Sequence, residues 1–260
     1  MLFRSVLNAL GKESEASVIS AQLVNLETAV EIYSAPKNRE KLRAQRSSGL
    51  YQLATSAKPG SDEQLALVKG FAAGATKSDA PKIKEILDGK LSGVTVDAEM
   101  RWSLIKALTE HGVFGQNEID AELKRDNTAD GLRHGAEARA MIATAENKSA
   151  IWHELTTTNL SNHIQRHMLI GVNRPSQQGL WAPFVDKYFA EVRRMWDENS
   201  YETGLQFANL AFPRFAATAE NLAKVEKWIT NNADASDGVK RAVKEGRDAM
   251  IRALKAQAAD

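Results

Sequence analysis

The apolar residues of this chain recur at the spacing of an α-helix, and almost nowhere at the spacing of a strand. Phe184, Val185, Tyr188, Phe189, Val192, Met195 and Trp196 return every three to four residues, which gathers them on one wide helix face. Trp102, Ile105 and Leu108 repeat the pattern with Leu104 beside them, as do Leu222, Val225 and Ile229, and then Val239, Val243, Met250 and Leu254. A half-buried strand needs strict alternation, and the best run is the very short Val94-Thr95-Val96. The chain is therefore predicted to be all-α.

Helix starts carry their own signals. Pro36, Pro59, Pro81, Pro175, Pro183 and Pro213 fall where the period breaks, as expected of a residue without a backbone donor. Ser61-Asp62-Glu63-Gln64 after Pro59-Gly60 reads as a turn followed by a capping box. Asp97, Thr128, Thr144, Thr218 and Ser236 precede other periodic stretches and read as N-caps. Short connections between short helices set neighbours antiparallel, as a compact bundle or as a superhelix of helical pairs. No tetratricopeptide or ankyrin repeat is visible, while degenerate HEAT-like pairs fit. No Ser- or Gly-rich linker divides the chain, so residues 1–260 are expected to form a single helical domain.

Composition removes several function classes. Lys and Arg total 34 against 33 Asp and Glu, a net charge of +1. A protein that binds nucleic acid by neutralising phosphates carries a basic excess or stripe, so a nucleic-acid partner is not expected. With no cysteine there is no disulfide, no thiolate zinc site and no thiol nucleophile. No window approaches the roughly 18 uncharged apolar residues of a spanning helix, and the N-terminus lacks the apolar run and cleavage site of a signal peptide. A soluble, cytoplasmic protein away from the membrane is expected, and the sequons at Asn147 and Asn159 read as chance matches.

The catalytic motifs fail one by one. No dinucleotide or phosphate loop, nucleophile elbow or EF-hand is present. His153-Glu154-Leu155-Thr156-Thr157 has the opening of a zincin motif but places Thr157 where the second imidazole must stand. His163 and His167 have the i, i+4 spacing of paired ligands, but Ile164 follows His163 and Arg166 adds positive charge. The simpler reading is two half-exposed histidines, with a site built from His153, His163 and His167 as the remote alternative. Gly70 and Gly74 suggest a close helix approach, and Trp102, Trp152, Trp181, Trp196 and Trp228 read as core anchors. The densest charge run is Arg39, Lys41, Arg43 and Arg46 near Lys37. It reads first as a solvated helix face, and otherwise as a surface that attracts a carboxylate or an acidic partner. No catalytic, metal-ligating or cofactor-binding residue is assigned, and substrate-contacting residues stay unknown.

From Asp97 the wording itself becomes informative. DAEMRWSLIKALTEHGVFGQNEIDAELKRDNTADGLRHGAEARAMIATAENKSAIWHEL (97–155) and LSNHIQRHMLIGVNRPSQQGLWAPFVDKYFAEVRRMWDENS (160–200) resemble the C-terminal helical domain of bacterial aminopeptidase N, of the actinobacterial type. KPGSDEQLALVKGFAAGA from Lys58, the Phe212-Pro213 break and EGRDAMIRALKAQ (245–257) are similar to it too. The resemblance is strongest over 58–257, and residues 1–57 match only loosely. The turn at Val172-Asn173-Arg174-Pro175-Ser176-Gln177 departs from the aromatic-containing turn expected of relatives.

What the resemblance implies is a HEAT-like α-solenoid bowl set over a separate gluzincin catalytic domain. That domain would hold zinc on H-E-x-x-H…E and bind the peptide amine on G-A-M-E-N. Neither motif occurs in this chain, so no catalytic or zinc-binding role transfers to any residue here. The expectation is a domain that is inactive alone and caps the peptide cavity of that partner. A stand-alone HEAT-like scaffold binding a protein or peptide is the alternative.

Overall fold

The start signals become helices where local chemistry supplies a cap. Asp97, Thr128, Thr144 and Thr218 each accept the backbone N–H three residues on, at 2.8, 3.0, 3.1 and 3.1 Å, which satisfies a donor with no partner inside the helix. Ser61 accepts from Gln64 N at 3.1 Å, but the Gln64 side chain takes the N–H of Gly60 rather than that of Ser61. Gly60, at φ +80°, occupies the left-handed region that glycine tolerates. Ser236 precedes a helix as expected, yet its side chain makes no capping bond.

The computed structural model describes residues 2–260, and every regular element in it is helical. Val94-Thr95-Val96 lies in an irregular connection. The fold divides into two compact units, residues 1–113 and 114–260. The first holds α1 (Leu2–Leu10), α2 (Ala16–Thr28), α3 (Pro36–Ser56), α4 (Asp62–Ala73), α5 (Ala80–Leu87) and α6 (Ala98–Glu110). The second holds α7 (Gln116–Arg125), α8 (Ala129–Met141), α9 (Ala145–Thr157), α10 (Asn162–Val172), α11 (Gln178–Trp181), α12 (Val185–Asp197), α13 (Tyr201–Leu210), α14 (Ala219–Asn231) and α15 (Asp237–Ala259). Consecutive helices pack together as α3 on α4, α5 on α6, α7 on α8, α12 on α13 and α14 on α15.

Each unit has its own core. In the first, Ile19, Leu26, Leu50, Leu67, Phe71 and Trp102 are buried. In the second the centre is aromatic: Trp152 meets Trp181, Phe184 and Phe207 at centroid distances of 5.7, 5.5 and 5.7 Å. Tyr188 joins them with its hydroxyl donating to Ala208 O at 2.8 Å, and burial pushes its phenol far above the ordinary range. Trp102, Trp152, Trp181 and Trp228 are core residues as expected, while Trp196 is half-buried against Tyr201.

In the second unit α8 and α10 approach closely. A Cβ on Gly171 would collide with the Glu137 carbonyl oxygen and lie 2.9 Å from Ala140 Cβ, so only glycine permits this approach. Gly171→Ala should therefore destabilise the protein by about 1–3 kcal/mol through overpacking, read as a lower urea midpoint. An unchanged midpoint would show that α10 does not depend on that contact.

Candidate functional site

The sequence offered two places where chemistry could gather, the histidines and the basic run, and the structure treats them differently. His153 and His163 are exposed. His167 turns instead to Glu137 on α8, Nδ1 to Oε2 2.8 Å, with the His134 ring 6.0 Å away. Glu154 accepts from Arg139 at 2.9 Å. Among the described residues no three His, Cys, Asp or Glu side chains gather as a metal site.

The basic run is not a solvated face. Glu31 is 1% exposed and lies within a π-helical turn, Ala29–Tyr33, that continues α2. Arg43 grips it through Nε at 3.0 Å and Nη2 at 2.5 Å, and Arg46 Nη2 reaches its other oxygen at 3.1 Å. Arg46 is itself 6% exposed. Arg39 donates to Ser34 O at 3.2 Å, and burial lowers its guanidinium from the ordinary value, with Glu31 opposing and Arg43 reinforcing the shift. Only Lys37 and Lys41 remain at the surface. The register explains the difference: Arg43, Arg46 and Leu50 share the inward face of α3, and Leu50 is buried. Removing one partner of a buried pair strands the other charge, so Glu31→Gln should cost about 3–5 kcal/mol. Chemical denaturation checks this, and a loss under about 1 kcal/mol would mean the arginines re-solvate.

Next to Arg46, Ser47 donates to Asp79 at 2.6 Å, and Thr76 and Lys82 donate to the same carboxylate at 2.6 and 3.1 Å. Burial alone would raise the Asp79 carboxyl, but the hydrogen bonds from Ser47, Thr76 and Lys82 outweigh it and hold it below its ordinary value. A depressed carboxyl contributes stability that is present above the unfolded pKa, about 3.9, and lost as pH falls through the folded value. Asp79→Asn should therefore destabilise the protein at pH 7 and much less near about pH 3. Equal losses at both pH values would contradict the assignment.

Two cavities are of note among the described residues. A polar one of about 700 Å³ lies in the second unit, where α10 and α13 begin. Ser161 and Ser200 cap those helices, Thr203 donates to Asn162 at 2.8 Å, and Arg194 donates to Thr156 O at 2.9 Å. An apolar one of about 240 Å³ lies in the first unit against α2, α3 and α4. There Gly70 and Gly74 mark close approaches as expected, since a Cβ on either would lie 2.6 Å from Leu23 Cδ1 or 2.7 Å from Arg46 Nε.

Residues 2–252 match the family model of the ERAP1-like C-terminal domain. The chain belongs to this family. As an ERAP1-like C-terminal domain it is 34% identical over 259 residues to aminopeptidase N of Streptomyces lividans, a match covering 98% of this chain and 30% of that protein's length. The resemblance read from residues 58–257 thus holds, and it extends through the first 57 residues, where wording alone gave only a loose match. The domain's buried Glu31 cluster escaped the sequence reading. The signal that could have found it was the register of Arg43 and Arg46 with Leu50.

Proposed function

We propose that this chain is the non-catalytic C-terminal domain of a zinc aminopeptidase, capping and shaping the cavity in which a separate catalytic domain removes N-terminal residues from peptides. The observation that carries the reading is the match of 98% of the chain to 30% of the Streptomyces lividans aminopeptidase N, which leaves most of that protein to hold the chemistry. The absence of H-E-x-x-H…E and G-A-M-E-N from this sequence supports a non-catalytic role, with zinc held on the partner domain. The consecutive helix pairs support a HEAT-like pairing. No helix among the described residues is long and apolar enough to cross a membrane, and a cysteine-free sequence suits a reducing cytoplasm.

The test recombines two parts. The Streptomyces lividans relative is produced without its matching segment, and this chain is added in trans. Alone, the chain should leave leucyl p-nitroanilide intact. Together, the two should associate, and the ratio of kcat/KM for a peptide to that for the anilide should shift by about tenfold, or 1.4 kcal/mol. No association and an unchanged ratio would overturn the reading.

A further inference from the structure

The outer face of α2 carries no charge. Of the residues Ala16–Thr28 only Glu27 is ionisable, and every exposed position from Ser17 to Asn25 is uncharged. The last helix, α15, shows the opposite: from Asp237 to Lys255 each exposed position holds an acidic or basic side chain. An element that ends a stack of helices needs a polar outer face to stay soluble, and α15 has one. On α2 the surface has instead the depletion of charge that marks the centre of a protein contact.

The register shows which side of α2 this is. Ser20, Leu23 and Glu27 line the cavity against α4. At about 100° per residue, Val18, Ala21, Gln22, Asn25 and Ala29 form a stripe at helical spacing about half a turn round from them. All five are exposed, Val18 by 40%. Since α2 packs on α4 and α4 on α6, the stripe is the open side of a row of helices. Its two alanines leave a shallow groove that the side chains of a helix laid along it can enter. The 13 residues of α2 make a helix about 20 Å long, so a stripe about 10 Å wide offers about 200 Å². That is far below the roughly 800 Å² per partner of a stable interface, and a second copy docked there alone would not hold. A helix of the same polypeptide needs no such area, because the covalent link supplies its effective concentration. The match to aminopeptidase N covers 30% of that protein's length, which leaves most of a parent chain to provide one.

We propose that the stripe from Val18 to Ala29 docks a further α-helix of the parent aminopeptidase, one that lies outside residues 1–260 and presents an uncharged, apolar ridge to α2. The proposal rests on the reading of this chain as one domain of a longer enzyme. The added helix extends the row α2, α4, α6 by one member and makes α2 an interior element of it.

The test mixes this chain with the Streptomyces lividans relative lacking its matching segment and reads Kd by analytical ultracentrifugation. Ala21→Arg puts a charge at the centre of the stripe and should weaken association by about tenfold or more. On the chain alone it should leave the urea midpoint unchanged, as substitutions at exposed sites do. Ala223→Arg, at an exposed position of α14, should leave Kd unchanged. Because the chain has no cysteine, Asn25→Cys supplies a single thiol, whose labelling by a maleimide should slow in the complex. Association that Ala21→Arg leaves intact, an equal loss with Ala223→Arg, or a thiol at position 25 that labels as fast in the complex would each overturn the proposal while the domain reading stands. A chain that dimerises by itself and loses the dimer on Ala21→Arg would also overturn it, assigning the stripe to a second copy. No association of the unaltered chain would overturn the domain reading and the proposal with it.

Discussion

Helix ends are the constraint on which the rest of this structure depends. Each α-helix leaves N–H groups at its start and carbonyls at its finish without internal partners, and a chain of many short helices has many such ends to satisfy. Seven of the starts are met locally by serine, threonine and aspartate. Two of the finishes, those of α8 and α13, are met by side chains from other elements. At the end of α8, Asn147 donates to the Arg139 and Ile142 carbonyls, Lys148 to Ala140 at 2.7 Å, and Gln177 to Met141 at 2.7 Å. Lys148 is wholly buried, and its ammonium sits where the helix dipole is negative. Asn173 serves Leu210 and Phe212 at the close of α13 in the same way. These side chains cross between elements, so satisfying the helix ends also fixes which helices are neighbours.

Close packing then depends on the absence of side chains. Besides Gly171 on α10, Gly238 leaves room for the Trp196 ring and Gly246 for Phe212, where an added Cβ would lie 2.6 Å from that ring. A tryptophan or phenylalanine fills the groove that glycine opens, which is ridge-into-groove packing with one ridge removed. The aromatic centre of the second unit has its polar edge at Tyr188 satisfied by a backbone carbonyl, while Trp181 Nε1 is buried without a partner.

What could be read from the sequence divides along the range of the interaction. A cap joins residues three apart, so Asp97, Thr128, Thr144 and Thr218 were legible, and so was the amphipathic face from Phe184 to Trp196. Ser161 and Ser200 cap helices by the same rule but stood amid polar runs where no apolar period announced a start. The partners of Gln177 and Gln64 lie up to 36 and 28 residues away, and no local pattern signals them. The basic run was misread for another reason. Charge density is a property of a segment, whereas burial is a property of a face, and Arg43 and Arg46 follow Leu50 inward while Lys37 and Lys41 stay out. The i, i+4 histidines show the converse. The spacing holds, yet His167 has Glu137 as its partner and His163 lies in solvent.

The contrast between the two cavities follows from the same accounting of polar groups. Around the polar cavity of the second unit, the serine and threonine hydroxyls at the starts of α10 and α13 close on their own helices and on Asn162, and Arg194 is taken up by Thr156, Glu191 and Glu198. In the first unit, the π-helical turn carries Glu31 into the interior, where it draws two arginines toward one carboxylate. An apolar triad of similar volume would pack as well or better and would leave no directional groups beside the cavity. The charged arrangement instead leaves two Arg46 donors buried without a hydrogen-bond partner. Stability alone gives no reason for that arrangement.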